Sequence, residues 1–219
     1  MPRKVIIGQL STKSKEVRDE FIKKMSAVGS FAFQSEPGVL KYAAFVPRDE
    51  SDQTTVFAVE EYKDEAAFES HLAEPGVKAL IEWIGTGKVL EGAPRILDLQ
   101  YVDDFYFSRG EVSKHEDPCV VIAELDYKPD TVQKSIPYWK AVADTGREKE
   151  AGTLVYGILR DPKEQNKLFT VEAYDSKEYL LDVHAKSKAV EESIKNTKHL
   201  REGLKHHFLK IQGGFLYKD

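Results

Sequence analysis

Residues 36–49 read E-P-G-V-L-K-Y-A-A-F-V-P-R-D, and residues 150–162 read E-A-G-T-L-V-Y-G-I-L-R-D-P. The two stretches align at a shift of 114 residues (150 − 36 = 114), which brings Tyr42 onto Tyr156. Each begins with a glutamate and, two positions later, a glycine, and each continues into an apolar run with a tyrosine in the same place. This segment is therefore present twice.

The repeat extends beyond this segment. Residues 56–62, V-F-A-V-E-E-Y, return as residues 168–174, L-F-T-V-E-A-Y, at a shift of 112 (174 − 62 = 112). His71 returns as His184 at a shift of 113 (184 − 71 = 113). We attribute the drift in the shift to small loop insertions. Solenoid repeats have periods of about 20–50 residues, so a period this long predicts two copies of one small domain.

Length and composition limit the class of protein. We assign residues 1–110 to the first domain and residues 118–219 to the second. A net charge of −5 argues against a nucleic-acid-binding protein. The single cysteine, Cys119, excludes an internal disulfide framework and fits a reducing compartment. No apolar run reaches the roughly 20 residues of a membrane span, and the start lacks a signal peptide. We therefore expect a cytoplasmic protein without membrane association.

The apolar pattern gives both halves the same order of elements. A strand and an amphipathic helix precede a hairpin, a second helix and a closing strand. This β-α-β-β-α-β order predicts two tandem ferredoxin-like domains, an α+β fold. Residues 56–59 are apolar on both faces of their strand, and such a strand needs cover on both sides. We expect the two halves to supply it as an intramolecular dimeric α/β barrel. In the second half, Ser176 is expected to cap one helix that runs to about Ile194.

His71 and His184 are the candidates for a catalytic base. Each lies within reach of the apolar stripe of its predicted helix, and imidazole changes charge near neutral pH. The alternative is a boundary histidine that donates a hydrogen bond to a carbonyl and fixes helix packing. Retention in both copies indicates importance but does not choose between the two roles.

Aromatic residues are the candidates for substrate binding. Four of them are tyrosines on paired strands, whose hydroxyls would orient a phenolic or carbonyl substrate while the rings form an apolar wall. These are Tyr42, Tyr62, Tyr156 and Tyr174. Strand propensity and core packing are the alternative for each, and Glu60 and Glu172 are interpreted as structural. The other aromatic candidates are Phe68, Trp83 and Trp139, of which the tryptophans are equally explained as core residues.

We predict no metal site. His199, His206 and His207 alternate with basic residues and have no regular ligand spacing with carboxylates or cysteines. They are interpreted as a solvated helix end. No dinucleotide-binding glycine fingerprint is present either, and we predict no cofactor.

Three segments resemble the antibiotic biosynthesis monooxygenase family: residues 36–42, 59–68 and 71–77. The shared pattern is a helix ended by E-x-G, a strand that reaches a tyrosine, a strand that ends in glutamate and an aromatic residue, and a helix with H-L-x-x-P. The resemblance covers most of residues 1–105 and is weaker over 118–219. It implies the dimeric α/β barrel fold, here as a fused tandem pair.

Members of that family include cofactor-free monooxygenases that convert phenols or quinols to quinones, haem-degrading enzymes, and proteins without a known reaction. Haem-degrading members have a tryptophan where His71 stands and a histidine where this chain has Ile81. The resemblance therefore does not extend to haem degradation.

Two functional hypotheses follow. The first is a cofactor-independent monooxygenase that oxidises a small aromatic or polyketide-like phenol to a quinone with O₂ as the second substrate. His71 or His184 would take the phenolic proton. The alternative is a non-catalytic barrel that binds a hydrophobic small molecule or a partner protein. The substrate, the active half and any assembly into a homo-oligomer stay open.

Overall fold

A computed structural model of the chain describes residues 2–218. The strands in this part are β1 (Lys4–Ser11), β2 (Val39–Pro47), β3 (Thr55–Tyr62), β4 (Arg95–Ser108), β5 (Cys119–Tyr127), β6 (Thr153–Arg160), β7 (Lys167–Tyr174) and β8 (Arg201–Phe215). The α-helices are α1 (Lys15–Ser35), α2 (Glu65–Ala73), α3 (Pro75–Gly85), α4 (Val132–Lys149), α5 (Lys177–Tyr179) and α6 (Lys188–Thr197). The predicted ferredoxin-like order is confirmed in both halves.

The chain divides into two compact units. The first unit holds the residues up to Leu99 together with the segment from Lys210 onward, and the second unit holds Gln100–Leu209. Strands β4 and β8 therefore each contribute residues to both units.

The first unit is a sheet with the strand order β4-β1-β3-β2-β8, antiparallel in its described pairs β1–β4, β1–β3 and β2–β3. Helix α1 begins at the N-cap Ser14, whose side chain accepts a hydrogen bond from the backbone N–H of Val17. Helix α2 begins in the same way at Asp64, and α3 has Pro75 in its first turn. Apolar side chains of the helices pack on one face of the sheet, where Phe21 and Met25 are almost fully buried.

The second unit has the matching strand order β8-β5-β7-β6-β4, and its described pairs are antiparallel. Helix α4 contains Pro137 in its interior, beyond the first turn, where it removes one backbone donor. Trp139, Val142 and Ala143 of α4 pack on the sheet face that carries Tyr156 and its neighbours.

Two sequence predictions in the second unit are wrong. Ser176 does cap a helix, but α5 ends at Tyr179, a π-helical turn follows, and α6 begins at a new cap, Ser187. The basic histidine cluster is a helix end only at His199, which lies in a 3₁₀-helical turn after α6. His206 and His207 lie on β8, which begins at Arg201 and pairs with β5. The strand was hidden because residues 201–207 are mostly polar and leave much of their surface exposed.

Within the described residues, no helix combines the length and apolar character that crossing a membrane requires.

Candidate functional site

A buried histidine–glutamate pair lies at the end of the first helix of the first unit. The Nδ1 atom of His71 lies 2.9 Å from Oε2 and 3.2 Å from Oε1 of Glu36. Only 1% of the His71 surface and 9% of the Glu36 surface are exposed. A carboxylate only accepts hydrogen bonds, so Nδ1 carries a proton in this pair. We call this pair the first dyad.

The E-x-G motif explains how the chain builds this pair. Glu36 is the C-cap residue of α1, so its side chain is fixed where the helix ends. The chain then turns into β2 so closely to α2 that a Cβ atom on Gly38 would lie 2.6 Å from Cβ of Ala67. The carbonyl of Gly38 also accepts a hydrogen bond from the N–H of Lys63. Glycine is therefore required for α2 to approach, and this approach brings His71 to Glu36.

Two tyrosine rings and a second carboxyl group surround the first dyad. The His71 ring centroid lies 5.2 Å from that of Tyr42 and 5.4 Å from that of Tyr62. The hydroxyl of Tyr62 donates to Glu60 Oε2 at 2.6 Å. Burial raises the pKa of the Glu60 carboxyl, and the hydrogen bond from Tyr62 and the charge of His71 offset only part of this effect.

The second unit repeats the pair with Glu150 and His184, the second dyad. His184 Nδ1 lies 2.7 Å from Glu150 Oε2, and the hydroxyl of Thr153 donates to the same oxygen at 2.8 Å. Burial opposes ionisation of Glu150, but hydrogen bonds from His184, Thr153 and Ser187 and the histidine charge outweigh it. The net effect lowers the pKa of this carboxyl below its usual 4.5.

The surroundings of the second dyad match those of the first. The His184 ring centroid lies 5.5 Å from Tyr156 and 5.0 Å from Tyr174. The hydroxyl of Tyr174 donates to Glu172 Oε2 at 2.6 Å, as Tyr62 does to Glu60. Each half thus holds the same set of side chains: a glutamate, a histidine, two tyrosines and a second glutamate.

Burial keeps these tyrosines in their neutral form. Burial first, and then the charges of neighbouring glutamates, raise the pKa of each of the four hydroxyls above its usual range. The tyrosines are Tyr42, Tyr62, Tyr156 and Tyr174. Neutral hydroxyls donate hydrogen bonds and do not remove protons at physiological pH, so none of these four tyrosines is the base of its set.

A π-helical turn keeps His184 in place despite an inserted residue. Tyr174 follows Tyr62 by 112 positions, whereas His184 follows His71 by 113, so the second copy has one extra residue between them. An extra residue in an α-helix would rotate the following side chains by about 100°. Instead, the N–H of Ala185 bonds the carbonyl five residues earlier, and the wider turn absorbs the insertion. The prediction that a loop insertion causes the change in the shift is therefore wrong between Tyr174 and His184, because the helix itself accommodates the extra residue.

A cation holds the carbonyl groups behind each dyad. In the first unit, the Lys218 ammonium donates to the carbonyls of Ala32 and Glu36 at 2.8 Å each. Burial lowers the pKa of Lys218, and the Glu36 charge opposes this effect. In the second unit, the Arg109 guanidinium donates to carbonyls of α4 and to that of Thr153. A positive charge at the C-terminus of a helix interacts favourably with the helix dipole.

The remaining aromatic candidates lie in the helix–sheet cores of the two units. Phe68 meets the Tyr62 ring edge-on at 5.1 Å, and this brings it next to the first dyad. Trp83 packs against Phe21 at 6.3 Å on the helix side of the first unit. Trp139 donates its indole N–H to the hydroxyl of Tyr127 at 2.8 Å.

Described residues of each unit line a cavity. A cavity of about 510 Å³ in the first unit lies between α1 and α3, with Val28 and Val77 in its wall. A cavity of about 440 Å³ in the second unit lies between the start of α4 and the β6–β7 loop. Neither His71 nor His184 lines either of these two cavities.

Among residues 2–218, no group of three or more histidine, cysteine, aspartate or glutamate side chains is arranged to hold a metal ion. One histidine of the basic cluster, His207, has a carboxylate neighbour that spacing along the chain did not indicate. Its Nε2 lies 2.9 Å from Glu124 Oε1 on the neighbouring strand β5. The partner was missed because it is 83 residues away in sequence.

Sequence reasoning placed both histidines correctly in equivalent helices but missed their acidic partners. Glu36 and Glu150 were available as a signal, since both begin the repeated E-x-G segment at the same shift as the tyrosines. A carboxylate retained in both copies directly after a helix is a candidate partner for a histidine retained in both copies.

The model of the antibiotic biosynthesis monooxygenase family matches residues 5–83 and again residues 118–196. The chain belongs to the antibiotic biosynthesis monooxygenase family. The resemblance predicted from the sequence is thus confirmed in both halves, and each matched segment of this family member contains one dyad.

Solved structures share the fold of this monooxygenase-family chain along its whole length. A putative monooxygenase from Lactobacillus acidophilus NCFM has a TM-score of 0.81 at 16% identity, with 100% of both chains covered. A putative monooxygenase from Fusobacterium nucleatum subsp. nucleatum ATCC 25586 has a TM-score of 0.75 at 22% identity, with 100% of this chain and 98% of that chain covered. An anthrone oxidase-like protein has a TM-score of 0.62 at 11% identity, over 97% of this chain and 92% of the other. At such identities the likeness concerns the fold alone. No curated protein matches this chain.

Proposed function

We propose that this protein is a cofactor-independent monooxygenase that oxidises a small phenol to a quinone with O₂. The observation that carries the proposal is the pair of buried dyads. In each, a glutamate holds Nδ1 of a histidine at 2.7–2.9 Å. A base that is oriented by a carboxylate is the arrangement expected of a group that removes a proton.

The reaction needs little from the protein beyond such a base. Nε2 of His71 or His184 takes the phenolic proton, and the electron-rich phenolate passes one electron to O₂. The two radicals combine at a ring carbon that carries hydrogen, and water leaves as the ring carbonyl forms. One oxygen atom of O₂ enters the quinone and the other leaves in water, so phenol and O₂ give quinone and water in balance. A site that excludes water protects the radical pair.

The tyrosines are proposed to orient the phenol in this reaction. The neutral hydroxyls of Tyr42 and Tyr156 can donate to the substrate oxygen, since those of Tyr62 and Tyr174 already donate to glutamates. The rings of each pair form apolar walls. Phe68 extends the wall in the first unit, and Trp83 and Trp139 are kept as candidates that act through helix packing.

The test is turnover of a panel of phenols and anthrones under O₂ without added flavin or metal. We expect His71→Ala and His184→Ala to lower kcat by up to about 10²–10⁴-fold, the usual contribution of a general base. His199→Ala, a change to an exposed histidine outside both sites, is the control. Because only the first copy keeps H-L-x-x-P, we expect the larger loss from His71→Ala. Parent-like turnover in the double variant, at unchanged thermal stability, would remove the dyads from the mechanism.

The second candidate function is non-catalytic binding of a hydrophobic small molecule. The observation that favours it is the burial of the histidines, since His71 is 1% and His184 is 5% exposed, and neither lines the two cavities of the units. In that case the phenol panel shows no oxygen consumption, and a phenol binds without change to the ligand.

A further inference from the structure

The two halves have different side chains at one equivalent position near the start of their first helices. Arg18 of α1 corresponds to Val132 of α4 (132 − 18 = 114). Arg18 is 9% exposed, and its Nη1 donates to the carbonyl of Asp52 in the β2–β3 loop at 3.0 Å. The arginine side chain therefore fills the space between helix and loop in the first unit.

In the second unit the same space is open. Val132 is too short to reach the β6–β7 loop, and a cavity of about 440 Å³ lies there instead. Pockets for small organic ligands have volumes of about 300–1,000 Å³ and combine an apolar body with a few polar groups. This cavity has both, with Val102, Ile136 and Leu168 among its apolar walls and glutamine and charged side chains at its rim.

We propose that this cavity is a binding site for a small molecule with an apolar body and a planar cationic head of the amidine or guanidine type. Arg18 is the internal template for this ligand, because in the first unit a guanidinium on an apolar stem occupies the equivalent space. The site is separate from the second dyad, since His184 does not line it, and the proposal does not depend on the oxygenase function.

Both halves have an acidic residue at the corresponding position of this loop. Arg18 donates to the backbone carbonyl of Asp52, and Asp52 corresponds to Glu164 in the second half (164 − 52 = 112), which lines the cavity. The Glu164 carboxylate now bonds the ammonium of Lys167 at 2.6 Å. Both side chains are more than a third exposed, and ion pairs between exposed side chains contribute little to stability. A bound cation can therefore take the place of Lys167 without a large cost.

The other charges at the rim do not favour an anion. Asp161 adds a second acid, and Arg160, exposed at the end of β6, is the remaining base. With two acids and two bases the rim is neutral overall. The ligand is therefore selected by the hydrogen bonds of its head group, as Arg18 is in the first unit.

The experiment compares benzamidine with benzoate, its anionic isostere, in titrations of the full chain by calorimetry and by NMR of the two tryptophan indole groups. We expect one equivalent of benzamidine to bind, with a shift of Trp139, which lies one turn from Ile136, and no shift of Trp83. Val132→Arg should abolish binding because the new side chain fills the cavity, and Lys134→Arg, outside the cavity, should bind as the parent does. Tighter binding of benzoate, no binding of either probe, or binding unaffected by Val132→Arg overturns the proposal.

A second variant keeps the test decisive if Val132→Arg fails to fold. Arg18→Val should open the equivalent space in the first unit, where the backbone carbonyl of Asp52 remains to accept a hydrogen bond from a cationic head group. Benzamidine should then bind at two equivalents, and Trp83 should shift together with Trp139. A stoichiometry that stays at one would show that Arg18 is not the template, and the assigned ligand class would be wrong.

Discussion

The substitution Glu150→Ala tests how much the hydrogen bonds of the second dyad contribute to the stability of the protein. Glu150 is 4% exposed and accepts hydrogen bonds from His184 and Thr153 at 2.7 and 2.8 Å. Hydrogen bonds to a charged group contribute about 1.5–3 kcal/mol each, and breaking a buried pair by removing one partner costs about 3–5 kcal/mol. We therefore expect the variant to lose about 4 kcal/mol of unfolding free energy.

The assay is urea unfolding followed by tryptophan fluorescence and by circular dichroism. Glu148→Ala is the matched control, because Glu148 lies two residues earlier near the end of the same helix and is exposed. It removes the same charge and should change the unfolding free energy by no more than about 0.5 kcal/mol. Glu36→Ala should fall between the two, since Glu36 bonds His71 at 2.9–3.2 Å without a threonine on the same oxygen.

Unfolding of Glu150→Ala and Glu148→Ala at the same urea concentration would contradict this expectation. The hydrogen bonds of Glu150 would then contribute nothing beyond what water supplies in the unfolded chain. Glu150→Gln helps to separate charge from shape, because it keeps an acceptor oxygen near His184 and Thr153. A loss in the glutamine variant as large as that in the alanine variant would assign the effect to the charge.

Four further predictions concern Glu150, the site tyrosines, Gly152 and the isolated first half. The pKa of Glu150 is lowered in the folded state, so its contribution to stability is present above the unfolded value of 4.5 and is lost as the pH falls through the folded pKa. Glu150→Gln should therefore make the unfolding free energy less dependent on pH in the acid range. The four site tyrosines have raised pKa values, so stability should fall above about pH 10, and their phenolate absorbance should appear only with alkaline unfolding. Gly152→Ala would place Cβ 2.6 Å from the Tyr179 ring and should lower the melting temperature at a cost of about 1–3 kcal/mol, whereas Gly92→Ala, with open space around it, should not. Residues 1–110 expressed alone lack the β8 segment next to β2 and should dimerise or aggregate in size-exclusion chromatography; a stable soluble monomer would contradict this.

The element order was predictable because the apolar periodicity is strong in both halves. The family pattern placed the end of the first helix at E-x-G and a strand after it, and Ser176 was correctly expected to begin a helix. Strand β8 was less accessible to sequence reasoning, because a strand with one exposed face and many charged residues has the composition of a solvated segment. Its pairing with β5 outweighs that composition.

The site was predictable only in part, since a dyad is a contact between residues that are 34 or 35 positions apart. Periodicity shows which residues share a face of one helix, but it does not show which helix end meets which helix. The π-helical turn that ends at His184 was only weakly indicated by the sequence, through the change in the shift between the two copies from 112 to 113 residues. Helical insertions that leave the following residues in place are rare enough that a loop was the more natural expectation.

The comparison of the two halves separates positions that hold the fold from positions that can specify a ligand. The dyad, its tyrosines and the second glutamate recur in both units with matching distances, even though one helix had to form a π-turn to keep His184 against Glu150. This set is therefore under the same constraint in each copy, as expected of shared chemistry or of shared packing. Arg18 and Val132 show the opposite behaviour, because the same place in the fold is filled in one half and open in the other. In the first unit the Arg18 side chain fills the space that is open in the second unit. The ligand proposed for this space should therefore be sought in the second unit.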